Sequence, residues 1–141
     1  MLNHKPTILI ADDDPVITKL LSFQLSRAGY AVVIAYDGMQ AVMMAMRCNP
    51  ACVLLDLNMP AGTGLQVIRR LKASLKTTNI PILVISATIE SAHGQDALSL
   101  GAHCLLPKPV DVPALLTIIS EQLGYDVSVI RAYNNQIAGG L

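Results

Sequence analysis

Five residues spread along the chain carry the groups from which phosphate chemistry is built: the carboxylates of Asp12, Asp13 and Asp56, the hydroxyl of Ser86 and the amine of Lys108. Each follows closely on a short apolar run. Thr7–Ala11 leads into Asp12-Asp13-Asp14, Cys52–Leu55 into Asp56, Pro81–Ile85 into Ser86, and Cys104–Leu106 into Pro107-Lys108-Pro109. Gathered in one place, such carboxylates repel: two unit charges about 4 Å apart do so by about 4 kcal/mol at an effective dielectric of about 20. Lys108 can offset one of them. A hard, oxygen-seeking cation such as Mg2+ suits the rest, because it binds through one or two carboxylates and accepts a phosphate oxygen. A carboxylate beside such cations can attack a phosphoryl group and form an aspartyl phosphate. Asp56 stands alone at the end of its run, whereas Asp12 and Asp13 form a pair suited to holding metal.

The elements that must position these groups follow from the pattern around them. Uncharged runs bounded by turn residues suit strands buried on both faces, as in a parallel sheet covered by helices. Between the runs lie helical stretches. Asp14 can cap the first and Pro15 fits its first turn; Ile17, Leu20, Leu21, Leu25 and Ala28 form its apolar side and Gly29 ends it. Ala31–Ala35 is a second strand. Met39–Met46 is a helix closed by Asn49-Pro50, with Met39, Met43, Met44 and Met46 expected as adaptable core filler, a sticky partner surface being the second reading. Leu65, Ile68 and Leu71 mark the buried face of the next helix, whose Arg69, Arg70 and Lys72 are expected on a solvated side. Ser91–Leu100 is a fourth helix, and Asp111 caps a fifth in which Leu115, Ile118 and Ile119 face inward.

Five repeats of strand then helix predict an α/β fold with a parallel sheet, since each right-handed crossover needs a covering helix. In such a sheet all five chemical groups lie at the carboxyl edge, where loops diverge and ligands bind. The 141 residues, 52% of them hydrophobic, suffice for one buried core and not for two ordinary domains. Ten basic and ten acidic residues give a net charge of zero, which favours neither nucleic acid nor an anionic membrane. The long uncharged stretch between Lys76 and Glu90 contains Pro81 and is too short for a bilayer span. With no apolar leader and three cysteines in no framework spacing, the expected setting is the reducing cytoplasm. Cys48, Cys52, Cys104 and His103 lack a metal-binding pair spacing and are expected in packing roles.

Taken together, Asp12-Asp13, Asp56 followed by Met59-Pro60 and Gly64, Ser86-Ala87 and Lys108-Pro109 resemble the receiver domain of two-component response regulators, over nearly everything from Thr7 to about Leu123. The resemblance implies a five-stranded, doubly wound, flavodoxin-like (βα)5 sheet of order 2-1-3-4-5, with the receiver over residues 1–123 and a C-terminal tail or linker over 124–141. It implies Asp56 as phospho-acceptor and Mg2+ held by Asp12, Asp13, Asp56 and the backbone carbonyl of Asn58. Ser86 would hydrogen-bond the phosphoryl oxygen and Lys108 would pair with it, and the Lys108-Pro109 bond is expected cis. Asn58 and Thr88 occupy positions that tune phosphoryl lifetime. The switch positions are Ser86 and Leu105, but the family has an aromatic at the latter, and leucine has no ring to rotate.

The implied donor is a sensor histidine kinase or a histidine phosphotransfer protein. The implied output is a fused domain or a protein target at the surface of the fourth helix, fifth strand and fifth helix, or a homodimer, without contact to nucleic acid or membrane by this domain. The chain is then a phospho-acceptor with self-catalysed phosphorylation and dephosphorylation and not an enzyme on other substrates. Three readings compete with it. A phosphorylation-independent interaction module would account for Leu105. A flavodoxin needs a hydroxyl-rich loop where this chain has three acids, and an aspartate-nucleophile phosphatase needs a second Asp where this chain has Asn58. Beyond Gly124, Tyr125, Val127 and Val129 alternate like a strand while Val127, Ile130, Tyr133 and Ile137 recur nearer to helical spacing, so periodicity leaves that segment open.

Overall fold

The computed structural model describes residues 5–59, 63–87 and 92–124. Strands and helices alternate throughout: β1 (Thr7–Ala11), α1 (Pro15–Arg27), β2 (Ala31–Ala35), α2 (Gly38–Cys48), β3 (Cys52–Leu55), α3 (Gly64–Ala73), β4 (Ile82–Ser86), α4 (Ala92–Leu100), β5 (Cys104–Pro107) and α5 (Val112–Gln122). Local chemistry sets the ends. Asp14, Asp37 and Asp111 each accept a hydrogen bond from a first-turn amide, at 2.9 Å from Val16, 2.8 Å from Gln40 and 3.1 Å from Ala114. Thr63 and Gln66 cap α3 reciprocally. At the other end of α2, Asn49 takes the left-handed conformation that lets the chain turn toward β3.

All strand pairs are parallel and the sheet order is β2-β1-β3-β4-β5, as the resemblance implies. Successive residues of the inner strands alternate between two cores. Leu9, Ala11, Val53, Leu55, Ile82 and Val84 face α2 and α3, while Ile8, Ile10, Cys52, Leu54, Leu83 and Ile85 face α1 and α5. Burial on both sides explains why these strands read as continuous apolar runs. The central strands β3 and β4 are wholly buried, whereas the edge strands β2 and β5 are mostly half-buried.

Three expectations on the helices are corrected. Leu20 is 54% exposed, because the inward face of α1 is set by Thr18, Leu21 and Leu25, half a turn away. Met39 and Met43 lie on the outer side of α2, while Ala41, Val42 and Ala45 fill the core there. Lys72 is not on a solvated face: its ammonium donates to the carbonyls of Thr78 (3.0 Å) and Ile80 (3.1 Å), and its stem lies against Gly101. The segment expected as a tail or linker lies, past Gly124, outside the described residues, as do Pro60, Thr88 and Ser91.

Candidate functional site

The carboxyl ends of β1 and β3 lie side by side because the two strands pair in register up to Ala11 and Leu55. One more rung follows: the Asp56 amide donates to the Ala11 carbonyl at 2.9 Å, and the Asp12 amide to the Ala35 carbonyl at 3.1 Å. Asp12 and Asp56 are thereby held at the top of the sheet, only 4% and 7% exposed. Their outer neighbours extend the ordering. Asp12 Oδ1 accepts from the Asp14 amide at 2.9 Å, and Asp56 Oδ1 accepts from the Asn58 amide at 3.1 Å. Each carboxylate is thus oriented by its own loop, with the second oxygen turned toward a common centre.

Lys108 reaches that centre from the far side. Its backbone amide bonds to the Ser86 carbonyl at 3.2 Å, prolonging the β4–β5 ladder, and a cis Lys108-Pro109 bond follows, as expected from the resemblance. The ammonium lies 2.8 Å from Asp12 Oδ2 and 3.2 Å from Asp56 Oδ2. Burial alone would lower the pKa of this lysine. The hydrogen bond it donates to Asp12 and the charges of Asp56 and Asp12 outweigh that effect and hold it above the ordinary lysine value.

Asp13 completes an acidic cluster at the rim, exposed where Asp12 and Asp56 are buried. One oxygen from each of Asp12, Asp13 and Asp56 lies within 4.8 Å of the others. An all-oxygen donor set with one open side fits a hard divalent cation that keeps part of its water. Ser86 is fully buried at the end of β4, beside Pro107 in the ladder. Leu105 is half-buried, opposite Val84, and packs into the core beneath α3 and α4.

Gly64 fixes the loop behind Asp56. Its amide donates to the Leu57 carbonyl at 2.9 Å, and a Cβ at this position would stand 2.5 Å from Leu57 Cα and 2.8 Å from the Asp56 carbonyl oxygen. Only glycine permits that approach. The structure therefore gathers Asp12, Asp13, Asp56 and Lys108, and sets Ser86 and Asn58 on the adjoining strand end and loop. The sequence marks Lys108 as able to offset one carboxylate of the cluster; the structure sets it against two, Asp12 and Asp56.

A family model for the response regulator receiver domain matches residues 8–120. Among curated proteins, the DNA-binding dual master transcriptional regulator RpaA of Synechocystis sp. is 38% identical over 79% of this chain and 46% of its own length. The response regulator MprA of Mycobacterium leprae is 38% identical over 79% of this chain and 48% of its own. The chain thus spans about half the length of the curated relatives it matches. Among solved structures, the receiver domain of a sensor histidine kinase from Pseudomonas aeruginosa PAO1 superposes with a TM-score of 0.80 at 27% identity, covering 86% of this chain and 99% of that one. That domain has a magnesium ion coordinated in its active site cleft. The chemotaxis protein CheY4 of Vibrio cholerae gives a TM-score of 0.78 at 27% identity over 84% of this chain and 98% of its own. With its sheet order, its acidic cluster and these relatives, the chain belongs to the response regulator receiver domain family, whose members accept a phosphoryl group in two-component signalling.

Proposed function

We propose that Asp56 is the phospho-acceptor and that the donor is a phosphohistidine on a sensor histidine kinase or a histidine phosphotransfer protein. The observation that carries this reading is the Lys108 ammonium set between Asp12 and Asp56, which brings cationic charge to the one carboxylate that ends the central strand. An Asp56 oxygen forms the new O–P bond as the donor's N–P bond breaks, and the imidazole leaves with the electron pair. Lys108 then pairs with a phosphoryl oxygen, and the Ser86 hydroxyl donates to another. Asp12, Asp13, Asp56 and the Asn58 carbonyl would hold Mg2+, which would supply positive charge to the transferring oxygens. Asn58 and Thr88 are the residues that tune the lifetime of the acyl phosphate. The receiver, over residues 1–123, acts on itself and not on external substrates in the cytoplasm, with residues 124–141 as a tail or linker.

Output on this reading goes to a partner, a fused domain or a second copy at the α4-β5-α5 surface. Leu105 favours one alternative, a module that binds its partner whether or not it is phosphorylated, since this position holds no ring to reorient. Incubation with Mg2+ and acetyl phosphate separates the two. Phosphoryl uptake at Asp56, with partner binding that changes on uptake, supports the switch; partner binding unchanged in Asp56→Ala and without Mg2+ supports the alternative.

A further inference from the structure

The two edges of the sheet are guarded differently. β5 is four residues long and runs out in Pro107-Lys108-Pro109, a short strand closed by prolines and a charge. β2, at the other edge, is the uncharged run Ala31-Val32-Val33-Ile34-Ala35, and its first four residues are only half-buried. Among the described residues no strand pairs with its outer side. The direction of the backbone groups there follows from the ladder. The Ala31 amide donates to the Pro6 carbonyl at 2.9 Å, and the Ala35 carbonyl accepts from the Asp12 amide at 3.1 Å. Backbone groups alternate along a strand, so Val33 also faces β1, while Val32 and Ile34 turn their N–H and C=O groups outward. The next outward amide, that of Tyr36, donates to Gln40 Oε1 at 3.0 Å, which ends the open stretch.

We propose that this edge pairs with the β2 edge of a second copy of the chain, antiparallel about a two-fold axis at Val33, so that the two sheets become one. Self-complementarity names the occupant. In that register Val32 of each copy faces Ile34 of the other. Each such pair exchanges both of its N–H···O bonds, so every outward donor and acceptor of the two strands is used. Val33 meets Val33 between them, and these β-branched pairs cover side chains that the edge leaves half-exposed.

Charge favours the same occupant. α1 and α2 lie over β1 and β2 on opposite faces, and each begins at an aspartate and ends with an arginine: Asp14 and Arg27, Asp37 and Arg47. A two-fold axis normal to the sheet sets each helix beside its own copy, reversed. Asp14 then comes to the Arg27 end of the second copy and Asp37 to its Arg47 end, with opposite charges facing. Helices centred over the β1–β2 pair stand about 10 Å apart across the joint, the distance at which helices pack, given strands about 4.8 Å apart. An unrelated extended peptide takes the same hydrogen bonds without this matching of charge. Asp56, Lys108 and the α4-β5-α5 surface stay open in the pair.

Sedimentation velocity and amide hydrogen exchange on the full chain test the pairing together. The chain is expected to sediment as a monomer–dimer equilibrium that added salt weakens. Where about nine tenths of it is dimer, the Val32 and Ile34 amides exchange about tenfold more slowly than in dilute solution. The Val33 amide, bonded to β1 in either state, is protected at both concentrations. Ile34→Pro removes an outward donor and keeps the β1 ladder, so it is expected to be monomeric with the methyl resonances of Leu54 and Ile82 in place. A chain that is monomeric at every concentration, with both amides exchanging freely, would overturn the proposal and leave the edge to a foreign strand. A dimer in which Val32 and Ile34 exchange as fast as in the monomer would also overturn it, by assigning the contact to another face. Protection of both amides in the monomer does the same, because the edge is then covered from within one chain.

Discussion

Two lysines stand at opposite edges of the same sheet, and their surroundings push them in opposite directions. Lys108, at the carboxyl edge, faces the carboxylates of Asp12 and Asp56, and its pKa is raised despite burial. Lys72, at the amino edge, donates to the carbonyls of Thr78 and Ile80, and burial lowers its pKa. The first answers charge with charge in an open, chemically loaded cluster. The second closes the joint between α3, the entry to β4 and the turn before β5, where Thr77 also donates to the Leu71 carbonyl at 2.6 Å. One side-chain type thus performs chemistry at one edge and construction at the other, according to whether its partners are ionised.

That contrast can be broken from either side. The largest effect is expected at Lys108. Lys108→Ala removes the cation facing the transferring oxygens and slows phosphorylation of Asp56 about 10²–10³-fold, the range seen when one transition-state donor is lost. Single-turnover transfer from a phosphodonor followed by intact mass measures it. Next comes Gly64→Ala, whose Cβ meets backbone at 2.5 and 2.8 Å, so the loop behind Asp56 must shift. It is expected to cost about 1–3 kcal/mol in chemical denaturation and to slow phosphorylation as well.

Lys72→Met is the converse case, expected to cost about 1–2 kcal/mol of stability through two carbonyls left without their donor while the phosphorylation rate stays native. A slowed rate there would erase the distinction between the edges. The smallest effect is in pH dependence. Because the Lys108 pKa is raised on folding, its stabilisation is complete below the ordinary lysine value of 10.5 and is lost as pH rises through the elevated one. Lys72 has the reverse sign, so native stability gains between its lowered value and 10.5. Alkaline denaturation of Lys108→Met should lack the loss and that of Lys72→Met the gain.

The legibility of the molecule in its sequence divides along the same line. Strands were plain because both faces of an inner parallel strand are apolar, and the caps at Asp14 and Asp111 were plain because each acts on a neighbour two or three residues away, whereas Asp37 beside Gly38 read as a turn and caps α2. Asp12, Asp56 and Lys108 were marked by their places at strand ends, which a parallel sheet carries to one edge. Contacts between side chains and distant backbone were not marked. Nothing near Lys72 announces Thr78 or Ile80 as acceptors, and its charged neighbours Arg69 and Arg70 suggested water. Leu20, Met39 and Met43 were misplaced for a related reason: an apolar residue on a helix signals burial without saying by what.

The most direct test of the account is the mass of the protein after incubation with Mg2+ and acetyl phosphate. The account predicts the gain of one phosphoryl group, absent in Asp56→Asn and absent when the cation is chelated. A phosphoryl gain that survives Asp56→Asn, or none at all in the native chain, would contradict it.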